Sequence, residues 1–147
     1  MKQHKLADDM FVLASTPKPG DMAHLAAHGV KMVVNNLPEG ETPGQPSSAE
    51  FEAACRAAGL AYRHIPWDQS FGDPNVSDTV SALDEAGGRV AAFCVTGTRS
   101  TWLWALARAR MGDDVEQLRH DVAHAYDIRM IRPFLVRSAQ KGLARRG

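Results

Sequence analysis

"RVAAFCVTGTRSTWLWALARAR", residues 89–110, changes its period halfway along. Residues 89–93 are a short apolar run of strand type, and from about Arg99 to Arg110 the spacing becomes that of a helix. The junction holds Cys94, one of only two cysteines in the chain, followed by "VTGTR". A strand that turns within a few residues into a helix is the building step of an α/β fold.

The rest of the chain repeats that step. "MFVLAS" (10–15) reads as a first strand, "MAHLAAHG" as a short helix capped by Gly29, and "VKMVVNN" (30–36) as an interior strand covered on both faces. Ser47 with Glu50 three residues on forms a capping box for a helix carrying Phe51, Ala54, Cys55 and Ala58. "LAYRHIP" (60–66) is a third strand, "VSDTVSALDEAGG" (76–88) a helix closed by glycines, and "RVAAF" the fourth strand. Further helices are expected near Asp113–Tyr126 and after Pro133. Alternating strands and helices imply crossover connections and a mainly parallel sheet of four to five strands with helices on both faces. No repeat or linker interrupts it, so residues 1–147 read as one α/β domain with a C-terminal helical segment from about residue 113.

Composition excludes several classes. Lys plus Arg equals Asp plus Glu at 17 each, which gives no charge argument for nucleic acid or an acidic membrane. Two cysteines cannot build a disulfide framework, and "MKQHKLADDM" lacks the apolar core of a signal peptide. The expectation is a soluble, cytoplasmic protein without a membrane or nucleic-acid partner. Acidic residues end at Asp127, whereas Arg129, Arg132, Arg137, Lys141, Arg145 and Arg146 follow. That basic end complements its own helix dipole and offers a surface on which a homodimer could form, although nothing in its pattern demands one.

In open α/β sheets the working site lies at the carboxyl ends of the strands, where Cys94 falls. The first amides of the following helix have no intrahelical partner, and together with the helix dipole they make an anion site. The same field favours a thiolate, so Cys94 is expected to be a nucleophile. Val95, Thr96, Gly97 and Thr98 would supply loop amides, Gly97 letting them approach one point. Arg99 adds a planar fork for two oxygens, and Ser100 a hydroxyl for the departing sulfur. A buried core cysteine followed by a solvated arginine is the bland alternative.

"FCVTGTRSTWLWAL", with "NNLPEGE" and "YRHIP" upstream, resembles the phosphatase-like domain family of beta-lactamase hydrolase-like proteins, over roughly residues 10–125. The resemblance implies a fold similar to the dual-specificity and tyrosine phosphatases. It makes Cys94 the nucleophile that attacks phosphorus, Arg99 the clamp on the phosphoryl oxygens, and a loop aspartate the leaving-group acid. Three departures stand out: four residues between Cys94 and Arg99 where phosphatases have five, Phe93 where they have a histidine, and Leu37 where many relatives have an arginine. The Cys-x-x-Gly-x-Arg spacing is similar to single-domain rhodaneses, whose loop holds a persulfide sulfur. A tighter ring suits one sulfur atom better than a tetrahedral phosphoryl group.

A phosphoryl transfer needs an acid. The loop after the third strand offers Asp68, in "HIPWDQS", which resembles the position of the phosphatase acid, and Asp73, which also reads as a turn residue before Pro74. Sulfur transfer requires neither. His24/His28 and His120/His124 are spaced four apart, but "HDVAH" has Asp121 where a zinc peptidase needs glutamate, and no third ligand is evident. The chain is therefore read as using no metal and no cofactor. His64 reads as packed and hydrogen-bonded, and Cys55 as core. The leading reading is a Cys94-dependent phosphatase-like hydrolase acting on a phosphorylated protein or small molecule; the alternatives are a sulfurtransferase working between a sulfur donor and acceptor, and an anion-binding module without turnover.

Overall fold

Sheet order fixes where everything else sits. A computed structural model describes residues 1–146. Its strands are β1 (Gln3–Ala7), β2 (Met10–Leu13), β3 (Val30–Asn35), β4 (Ala61–His64) and β5 (Arg89–Phe93), arranged β1-β2-β5-β3-β4. All neighbours are parallel except the β1–β2 hairpin. The last strand in sequence is thus the central one, and the carboxyl end of β5 is flanked by those of β2 and β3.

The helices are α1 (Met22–Ala27), α2 (Ser48–Ala57), α3 (Asp73–Glu85), α4 (Thr98–Met111), α5 (Val115–Val122) and α6 (Arg132–Arg146). Side chains alternate across a strand, so each strand feeds two cores. Leu13, Val33, Ala91 and Phe93 pack with Met22 and Leu25 of α1 and Phe51 and Cys55 of α2. Val12, Met32, Val34, Val90 and Ala92 pack against α3, α4, α5 and α6. The crossovers switch faces between the helix after β3 and the helix after β4, and such a switch opens a crevice at the strand ends.

The expected strands at 10–15, 30–36, 60–66 and 89–93 are all present, the first three shortened and the last with the expected bounds. β1 is additional. It is an edge strand with only Leu6 buried, so "QHKLA" carries no apolar alternation to betray it. The helix expected from residue 76 begins at Asp73, because Pro74 occupies the first turn, where its missing N–H costs nothing. The helix expected to reach Tyr126 stops at Val122, and a turn closed by the Tyr126 N–H on the Val122 carbonyl (2.8 Å) redirects the chain.

α4 carries the core on this side. Leu103, Trp104, Leu106, Ala107 and Ala109 are buried along it, while Trp102 lies nearer the surface and donates its Nε1–H to the Asp127 carbonyl (3.1 Å). α6 crosses it closely: Ser138 donates to the Leu106 carbonyl (2.7 Å), and Gly142 lies against the Arg110 carbonyl with no room for a Cβ. No helix among the described residues is long and apolar enough to cross a membrane. Gly142→Ala should therefore destabilise the fold by about 1–3 kcal/mol through forced separation of α4 and α6. Urea denaturation measures this, and an unchanged midpoint would contradict the contact.

Candidate active site at the end of the central strand

Cys94 is the first residue beyond β5 and is only 1 % exposed. It belongs to the core on the α1/α2 side, yet its Sγ is not surrounded by hydrocarbon alone: it accepts the Gly97 N–H at 3.2 Å. The loop is fastened from outside at two carbonyls. Thr16, in the segment after β2, donates its hydroxyl to the Cys94 carbonyl (3.0 Å), and Tyr126 donates to the Thr96 carbonyl (2.9 Å). Gly97 has φ +92°, and a Cβ there would strike the Tyr126 hydroxyl and Val12, so this turn requires glycine. α4 starts at Thr98, and its first intrahelical bond runs from the Thr101 N–H to the Gly97 carbonyl. The amides of Thr98, Arg99 and Ser100 precede that bond, at the positive end of the helix dipole.

Arg99 does not point into solvent. Its side chain is 14 % exposed and forms a two-pronged pair with Glu41 at 2.6 and 2.7 Å. Nη1 also donates to the Trp67 carbonyl at 3.2 Å. Hydrogen bonding to Glu41 raises the Arg99 pKa against the opposing effect of burial, with smaller upward contributions from the Cys94 sulfur. The same pair holds the Glu41 carboxyl below the usual carboxylate range. A carboxylate held low keeps its partner through neutral and mildly acid pH, and releases it only when acid reaches that lower value. Bidentate pairing with Glu41 engages both terminal nitrogens of Arg99.

Two adjacent asparagines at the end of β3 bolt the neighbouring loops together. Asn36, 2 % exposed, donates to the Ile65 carbonyl (2.9 Å) and its Oδ1 accepts the Ser100 hydroxyl (2.7 Å). That hydroxyl proton is thus directed to Asn36 and not to the sulfur. Asn35 accepts the Leu37 N–H (2.9 Å) and donates to Tyr62 Oη (3.0 Å). Leu37, where an arginine is expected in relatives, is core, and its carbonyl meets His64 Nε2 at 2.7 Å, so His64 is packed and hydrogen-bonded. Phe93, in the histidine's place, packs on Phe51 with ring centroids 4.9 Å apart.

The two candidate acids separate cleanly. Asp68 is exposed in the loop after β4, one residue from the Trp67 carbonyl that Arg99 touches. The Ser70 backbone N–H (2.9 Å) and hydroxyl hold its carboxyl below the usual range. Asp73, at the start of α3, is tied to Arg110 (2.9 Å), Lys141 (3.1 Å) and Arg145 (3.6 Å). It fastens α3 to α4 and α6. His124, of the second histidine pair, faces His4 with ring centroids 6.4 Å apart. Among the described residues no three His, Cys, Asp or Glu side chains converge as a metal site.

The family profile of the beta-lactamase hydrolase-like protein, phosphatase-like domain matches residues 4–111. The chain belongs to this family. It is 31 % identical to a beta-lactamase hydrolase-like protein of Xylella fastidiosa over 137 residues, which is 90 % of this chain but 31 % of that protein. The chain spans about a third of the length of the curated relatives it matches. A crystal structure from Neisseria meningitidis, provisionally assigned as a phosphatase, superposes with a TM-score of 0.75 at 25 % identity, covering 91 % of this chain and 96 % of that one. PTPMT1 superposes at 0.74 with 20 % identity over 99 % and 98 %, and demonstrates the shared fold. The fold is that of the cysteine phosphatases, and the domain is phosphatase-like.

Thr16, Asn36, Glu41 and Tyr126 escape the sequence reading. Glu41 lies within "NNLPEGE", at the same sheet edge as Cys94, and asking which acid there could partner Arg99 would have found it. Tyr126 leaves no such signal, because its reach depends on where α5 stops. Glu41→Gln should leave the protein folded while Cys94-dependent activity falls roughly 10- to 100-fold, through a misplaced guanidinium. Steady-state kinetics with circular dichroism tests this, and wild-type activity would show that Glu41 does not hold Arg99 for the reaction.

Proposed function

We propose that the protein is a sulfurtransferase built on a phosphatase-like scaffold, with Cys94 as the sulfur carrier. The observation that carries this reading is the size of the ring. Only Val95, Thr96, Gly97 and Thr98 separate Cys94 from Arg99, and Thr98 already belongs to α4. The cradle is therefore one residue tighter than a five-residue loop, and one of its amides already points at Sγ. A single transferred sulfur fits this ring better than a tetrahedral phosphoryl group.

The chemistry closes without an acid or an oxidant. The Cys94 thiolate attacks the outer sulfur of a sulfane donor such as thiosulfate; a new S–S bond forms, the donor's S–S bond breaks, and sulfite leaves with the bonding pair. An acceptor nucleophile, cyanide or a thiolate, then takes the outer sulfur and returns Cys94 as the thiolate. The loop amides, the α4 dipole and Arg99 stabilise the terminal negative sulfur in between. The states of Asp68 and Asp73 agree with this: one is held ionised at neutral pH, the other is occupied by three cations.

Phosphoryl hydrolysis is the second reading, favoured by the family and by the fold. Cys94 would attack phosphorus, Arg99 would grip two phosphoryl oxygens, Asp68 would protonate the departing oxygen, and water would release phosphate from the phosphocysteine. The substrate would be a phosphorylated protein or small molecule.

Two assays on one preparation separate the readings. Thiosulfate and cyanide should yield thiocyanate, and brief treatment with thiosulfate alone should add the mass of one sulfur to the peptide containing Cys94. Cys94→Ser should abolish both, Arg99→Lys should slow turnover substantially because a point charge cannot replace the fork, and Asp68→Asn should change little. Vanadate-sensitive release of an aryl alcohol from its phosphate, slowed by Asp68→Asn and without thiocyanate formation, would replace the first reading by the second. Activity of either kind in Cys94→Ser would remove both.

A further inference from the structure

The mechanism above uses the amides of the Cys94 loop but leaves open what aims them. No peptide in the described chain is cis. In a trans peptide the C=O and the N–H point in opposite directions, so whatever holds the carbonyl also sets the direction of the amide. The peptide joining Thr96 and Gly97 is held at both ends: its carbonyl accepts the Tyr126 hydroxyl at 2.9 Å, and its N–H points at Cys94 Sγ at 3.2 Å. The peptide joining Cys94 and Val95 is held likewise, its carbonyl accepting the Thr16 hydroxyl at 3.0 Å. The Val95 N–H is therefore directed away from Thr16. Two alternate peptides of a short loop are pinned by hydroxyls from separate parts of the chain, one after β2 and one after α5.

We propose that Tyr126 and Thr16 are positioning residues which, by holding the Thr96 and Cys94 carbonyls outward, keep the loop amides turned toward the sulfur and the group it carries. The proposal rests on Cys94 being the nucleophile, and it serves either chemistry. Gly97 is part of the device, because only a residue without Cβ lets the Tyr126 hydroxyl come so close to the loop. A hydroxyl donating to the carbonyl also polarises the peptide and strengthens the N–H on its far side. Burial and the neighbouring Cys94 raise the Tyr126 pKa, so the phenol keeps the proton it donates. Without these hydroxyls the glycine-containing turn can rotate a peptide and present a carbonyl oxygen to the sulfur.

The charged and titratable groups around Cys94 are Arg99 of α4, with Glu41 behind it, and Tyr126, whose ring is met edge-on by His4 (centroids 5.4 Å apart). Tyr126→Phe keeps the ring on His4 and removes only the oxygen; Thr16→Val does the same for the other carbonyl. The test is the thiolate absorbance near 240 nm followed against pH, with the matching Cys94→Ser protein subtracted in each background. The expected result is a titration midpoint higher by about 0.5–1 pH unit in each variant. The turnover number should fall roughly 3- to 10-fold at neutral pH with little change in KM, since the lost N–H stabilises charge and not ground-state binding.

A merely structural tyrosine would leave both readings at wild type in the phenylalanine variant, and that result in folded protein overturns the proposal. Should Tyr126→Phe fail to fold, Thr16→Val decides by the same measure. Unchanged variants beside an inactive Cys94→Ser overturn the positioning role alone. An active Cys94→Ser overturns it together with the reading beneath it.

Discussion

A sulfur enclosed at the end of a central strand can carry negative charge only if polar groups replace the water it has lost. Here the replacement is one peptide N–H at 3.2 Å, the open end of a 14-residue helix, and a guanidinium that is itself held in place. Everything else at this edge of the sheet serves that arrangement. β5 sits in the middle of the sheet, so segments after β2, β3 and β4 all arrive at the Cys94 loop and the start of α4: Thr16 from the first, Asn36 and Glu41 from the second, Trp67 from the third.

The order of these contacts shows which parts are rigid. Asn36 is buried and joins Ile65 to Ser100, and through its own N–H it meets the Phe93 carbonyl (2.9 Å). A single residue, through its backbone N–H and its side chain, thus ties the ends of β3, β4 and β5 to the start of α4. Glu41 and Arg99 are more open. Asp68 is fully outside this framework, tied only to its own turn. A fold shared with cysteine phosphatases here carries Cys94 and Arg99 with four residues between them. Function follows the site and not the fold, which is why the four-residue spacing between Cys94 and Arg99 weighs more in the proposal than the likeness of the whole domain.

Much of this was written in the pattern of residues 89–110. The switch from a period of two to a helical period around Cys94 placed the strand, the turn and the helix, and Gly97 marked the tight point. Strand β1 was hidden because an edge strand with one buried residue need not alternate. The α3 start was hidden because proline reads as a breaker unless the first helical turn is considered. At the candidate site, the spacing alone singled out Cys94 and Arg99. Asn36, Glu41, Thr16 and Tyr126 were not, since each acts at a distance of tens of residues, and their partners exist only once the sheet brings the strand ends together.

The most direct measurement is the structure of crystals exposed briefly to thiosulfate. The account predicts one additional atom bonded to Cys94 Sγ, lying among the amides of residues 95–98, with Arg99 still paired to Glu41. A bare sulfur with a tetrahedral anion bound intact over the loop would contradict it, and would return the site to phosphoryl chemistry or to anion binding alone.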